Sequence, residues 1–138
     1  MMISDIPIGV YSRKQFSLYN LLKRAEGPRR ASWCDLPKEP GIYLVRWSLI
    51  QPPIFLSNSG KAVYATTKPP QFLQSKWDGI NKSSPTDIIY IGKGDILKQR
   101  IRLLVRFGVG KRAYHEGGEW IWQISNISTS EIITQNCP

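Results

Sequence analysis

At 138 residues with 41% hydrophobic side chains, the chain is long enough for one folded domain with a modest core and too apolar for a disordered tail. Nineteen Lys and Arg against ten Asp and Glu leave a formal net charge of +9 at pH 7, which favours polyanions because each neutralised phosphate releases condensed counterions. Cys34 and Cys137 stand far apart, which excludes a zinc ribbon or disulfide scaffold. No apolar run suits a signal peptide or a spanning helix, so a soluble cytoplasmic protein with no membrane partner is expected.

In chain order, Leu18, Leu21, Leu22 and Ala25 share one helical face, which predicts a helix over 14–25, stopped by Gly27-Pro28. Residues 1–37 then form an N-terminal helical extension. Pro40-Gly41 leads into a predicted strand over 41–49, with Tyr43, Val45, Trp47 and Leu49 on one face and Ile42, Leu44 and Arg46 on the other. Residues 51–86 carry Pro52, Pro53, Pro69, Pro70 and Pro85 among Ser, Asn, Gly and Lys. They read as an irregular excursion with one short strand at 62–66.

A second strand is predicted over 87–92. A helix follows from Asp95, its N-cap, to Phe107, closed by Gly108 and Gly110. Residues 119–127 are expected to form a third strand with Trp120, Trp122 and Ile124 on one side, and 128–138 to begin a last helix.

The predicted helix after the second strand carries most of the chemistry. At about 100° per residue, Leu97, Ile101, Leu104 and Val105 fall on a core-facing arc, and Lys98, Gln99, Arg102 and Arg106 on a solvent arc. Arg100 is the one charge inside the apolar arc. Taken alone it suits either a guanidinium snorkelling at the core edge or one poised at a site. Tyr43 and Tyr90, taken singly, suit half-buried packing residues equally well. Two phenols and a guanidinium on one sheet face, however, make a set suited to a phosphodiester.

Gly41-Ile42-Tyr43, Tyr90-Ile91-Gly92 and Arg100, ten residues past the second tyrosine, resemble the signature of the GIY-YIG nuclease superfamily. Pro40, Lys93-Gly94 and Leu97 look like the family as well, and the resemblance covers roughly 38–49 and 87–127. It implies an α/β (α+β) domain spanning 1–138, with a small three-stranded antiparallel sheet flanked by helices. The implied activity is DNA endonuclease cleavage with one divalent cation, Mg²⁺ or Mn²⁺. Tyr43, Tyr90 and Arg100 are then the catalytic residues, most simply with Tyr43 helping to take a proton from the attacking water. Arg100 would stabilise charge on the phosphoryl oxygens. A phenol with an ordinary pKa of about 10 is a poor base without a nearby cation, and Lys93 is a candidate for that cation. A nucleic-acid-binding module of the same fold without activity is the alternative.

Lys93, Lys98, Arg102, Arg106, Lys111, Arg112 and His115 are the expected DNA contacts. Tyr43 and Tyr90 lie further apart than the family's short connection allows, which makes 51–86 an insertion. Its Lys61, Lys68, Lys76 and Lys82 alternate with Tyr64, Phe72 and Trp77, a pattern suited to phosphates and unpaired bases. The family's metal-binding glutamate would fall between Gln135 and Pro138, a stretch without an acid, or just past the end. Glu131 is therefore the candidate ligand.

Overall fold

A computed structural model describes residues 13–28, 32–83, 85–113 and 117–136. Four strands and three α-helices are present among them: β1 (Arg13–Ser17), α1 (Leu18–Glu26), β2 (Gly41–Arg46), α2 (Pro70–Ser83), β3 (Ile88–Gly94), α3 (Leu97–Gly108) and β4 (Glu131–Asn136). The sheet is antiparallel throughout, in the order β1-β4-β2-β3, so β1 and β3 are its borders.

The strand count is therefore four, not three, and each difference has a local cause. Residues 13–17 are strand rather than helix, because they pair with β4 and Ser17 then caps α1 by accepting from the Asn20 N–H. From that cap onward the helical periodicity holds: Leu18, Leu21 and Ala25 are buried and Leu22 is half-buried.

The expected third strand over 119–127 is instead two 3-10 turns, Glu119–Gln123 and Ile127–Thr129. Gly117, Gly118 and Asn126 hold positive φ, which no regular strand accommodates. The sheet strand comes after them as β4, where a helix was expected. Its Ile132 and Thr134 are buried at the alternation of a one-sided strand.

Residues 51–86 are more ordered than their prolines suggest. Phe55 bridges Ile124, and Pro69-Pro70 open α2 rather than preventing it, since proline fits a first helical turn. Residues 62–66 form no strand, although Ala62 is buried. Gln123, fully buried, fastens this segment: its Nε2 donates to the carbonyls of Leu56 (2.9 Å) and Lys68 (2.7 Å), and its Oε1 accepts from the Lys68 N–H (2.9 Å).

One sheet face is built for burial. It carries Gly41, Tyr43 and Val45 of β2, Ile132 and Thr134 of β4, and Tyr90, Gly92 and Gly94 of β3. Leu97, Ile101, Leu104 and Val105 of α3 and Leu18 and Leu21 of α1 join Tyr43, Val45 and Ile132 in the core, each at most 1% exposed. The opposite face carries Arg46, Lys93 and Glu131. β2 stops at Arg46, so Leu49 lies beyond the strand and is 39% exposed instead of joining Trp47 inside.

Candidate phosphodiester site

α3 begins one residue later than expected, with Ile96 at the N-cap position and no side-chain cap. Asp95 does not cap it. Its leading N–H groups donate to backbone carbonyls, Leu97 to Glu39 (3.3 Å) and Lys98 to Pro37 (2.7 Å). These bonds fix α3 over the β2–β3 end of the sheet and set Arg100 against β3.

Tyr90, Gly92 and Gly94 occupy alternate positions of β3, about 7 Å apart along the strand, and share the buried face. The two glycines leave room that other side chains fill. A Cβ at Gly92 would collide with Cζ, Cε1 and Oη of Tyr43, and one at Gly94 would collide with Arg100 Cγ. Tyr43 thus crosses from β2 over Gly92, and the Arg100 stem lies over Gly94. Tyr90 supplies its own ring between them and the Val45 end. The three expected residues form one row along a sheet border.

Within the row, the Tyr43 and Tyr90 ring centroids are 6.1 Å apart at 52°. Burial, reinforced by Tyr90, pushes the Tyr43 phenol well above its ordinary pKa, while the Arg100 charge pulls the other way. Arg100 is half-buried, and its Nε is buried without a hydrogen-bond partner among the described residues. Thr134 Oγ1 and Asn136 Oδ1, on the β4 residues opposite Tyr43 and Gly41, are likewise buried without a partner among the described residues.

A β-bulge between Val45 and Arg46 places one extra residue, Ile89, in β3 next to Tyr90. Bulges of this kind re-aim neighbouring side chains. Beyond the ring, the backbone of Gly117 and Gly118 closes in. A Cβ at Gly118 would lie 2.9 Å from Tyr90 Cζ, and one at Gly117 would lie 3.1 Å from its hydroxyl.

Several expectations need correction. Tyr43 has no exposed surface, so it does not open directly onto water; Tyr90 is the half-buried phenol of the pair. Lys93 pairs with Ile42 on the opposite sheet face and is not the cation beside the tyrosines.

Glu131 stands opposite Arg46 on that same far face and is ion-paired with its guanidinium. On that face it is out of position for the row. Among the described residues no group of three or more His, Cys, Asp or Glu converges. The described donor set does not fit a protein-held Mg²⁺ or Mn²⁺ at the row.

Lys98, Arg102 and Arg106 are half-buried along α3 rather than fully exposed, while Lys111 and Arg112 are exposed beyond its end. The Arg112 guanidinium rests 5.1 Å from the Tyr64 ring centroid. His115 and Cys137 lie outside the described residues, and Cys34 is an exposed thiol. No described helix is long and apolar enough to cross a membrane.

Sequence reasoning named the row but not what makes it possible. Gly94 was legible only as part of a motif, and Thr134 was hidden in a segment expected to be helical. Compared with protein-family models, curated proteins and solved structures, the chain matches none.

Proposed function

We propose that this domain acts on DNA as a phosphodiester-cleaving endonuclease of the GIY-YIG kind. The observation that carries the reading is the convergence of Tyr43, Tyr90 and Arg100 on one border of the sheet. Arg100 offers a planar fork suited to two phosphoryl oxygens, and its Nε lacks a protein partner among the described residues. A cation fixed where negative charge develops lowers the barrier to attack on phosphorus.

Of the two phenols, Tyr90 is the one placed to meet the attacking water. Its hydroxyl oxygen accepts a hydrogen bond from that water and orients it for attack on phosphorus. Tyr43 stands behind it as a buried, protonated neighbour whose hydrogen bond with Tyr90 keeps that oxygen in position. The formal charge of +9 supplies the long-range attraction for the polyanion.

A second reading is favoured by the engagement of Glu131 with Arg46: the same surface binds DNA without cutting it. Supercoiled plasmid separates the two. Wild type with added Mg²⁺ or Mn²⁺ should nick it, and Tyr90→Phe and Arg100→Ala should each reduce the rate at least about 100-fold. Salt-sensitive retention without nicking selects the binding module. Absence of retention at low salt removes nucleic acid from both readings.

A further inference from the structure

The proline-rich segment is the part of the chain that the row leaves unused. It builds a cavity of about 430 Å³ between α2 and the 117–120 turn, within the range of small-ligand pockets. Its walls include Phe72, Trp77 and Trp120, with Lys68 and Lys76 also lining it. Phe72 is 46% exposed, whereas Trp77 is buried, so the pocket has a fixed floor and an accessible aromatic lip. Lys76 Nζ sits 5.1 Å from the Phe72 ring centroid, which brings a positive charge to that lip.

Gly117 and Gly118 line the same cavity and also back onto Tyr90, where a Cβ on Gly118 would crowd the ring and one on Gly117 the hydroxyl. One thickness of glycine backbone therefore separates the pocket from the row. Aromatic walls with cations beside them suit a planar base attached to a phosphate backbone. Glu119, the one acid lining the cavity among the described residues, suits the exocyclic amine of a base.

We propose that this cavity receives a single unstacked nucleobase of the DNA strand whose phosphate lies at Arg100. The substrate class is then DNA with an unpaired or extrahelical base rather than perfect duplex. This inference rests on the DNA reading above and adds to it. Gln123 holds the pocket's Lys68 wall in place, and the shared glycine turn couples base placement to Tyr90.

The test compares three duplexes of equal length: one perfectly paired, one with a central single-adenine bulge, and one with an abasic bulge. Wild type should bind the adenine bulge at least about tenfold more tightly than the perfect duplex. That advantage should vanish with the abasic bulge and in Phe72→Ala. Equal affinity of wild type for all three duplexes overturns the pocket assignment while leaving the DNA reading intact. Equal weakening of all three in Phe72→Ala also overturns it. Failure to bind any duplex at low salt overturns the DNA reading itself.

Discussion

The ring of Tyr43 lies across the backbone of Gly92, filling the place where any other residue would carry its Cβ. Gly94 stands in the same relation to Arg100, but the two neighbours differ in freedom. Tyr43 is sealed in the core, whereas the Arg100 stem is flexible and half-buried. Gly92→Ala should therefore destabilise the fold by about 3 kcal/mol through overpacking. Gly94→Ala should cost about 1 kcal/mol or less, yet weaken DNA binding about tenfold by displacing the guanidinium from the proposed phosphate contact. Urea unfolding and filter binding on the two variants check this contrast.

Burial raises the Tyr43 pKa, so the folded state favours its protonated form. That stability is complete below the unfolded value of about 10 and is lost as pH rises through the higher folded value. The tyrosinate absorbance of the native protein should contain a component that appears only well above pH 10. Tyr43→Phe should lack it, and a curve unchanged by the substitution contradicts the buried placement.

Arg24 grips Asp35 with its two terminal guanidinium nitrogens, Nη1 and Nη2, at 2.7 and 2.9 Å, and its guanidinium also lies 5.1 Å from the Trp33 ring centroid. The bond to Arg24 holds the Asp35 carboxyl below its ordinary pKa. Its stabilisation is present above pH 4 or so and fades as pH falls through the folded value. Because the pair is solvent-screened, Asp35→Asn should lower stability by only about 0.5–1 kcal/mol at pH 7. The difference from wild type should narrow below pH 4, as read by thermal unfolding across pH.

The pairing of Glu131 with Arg46 gives it a structural role on the far side of the sheet. Glu131→Gln should leave nicking within about twofold of wild type and lower stability by about 1 kcal/mol or less. A large loss of cleavage with stability intact would return Glu131 to the site.

Gln123 is buried and satisfies three peptide groups from Leu56 and Lys68. Gln123→Leu keeps the bulk but strands those groups, at about 2–4 kcal/mol. Hydrogen exchange should show the Lys68 amide losing protection. The Ile132 amide, in the sheet, should change only in step with overall stability.

The two tyrosine strands and the arginine helix were legible because each is short, strongly patterned and bounded by glycine. Arg100 betrayed itself as the one charge in an apolar arc. β1 and β4 were not legible, since a five-residue and a six-residue strand become strands only by pairing with one another and with β2, across most of the chain. α2 was masked by its prolines, which by themselves do not reveal whether they begin a helix or interrupt one. The Glu119–Gln123 stretch alternates like a strand, yet the positive φ of Gly117 and Gly118 turns it into a 3-10 helix.

Among the described residues β3 has a strand neighbour on one side only, so its other edge of amides and carbonyls is a latent template for strand addition by a second chain. On the exposed side of that rim Ile91 is 61% exposed, and Lys93 is the charge that discourages such docking. An apolar replacement of Lys93 would invite self-association along the same rim that bears Tyr90. Loss of solubility and occlusion of the tyrosine–arginine row would then arrive together, from one change on the far face of the sheet.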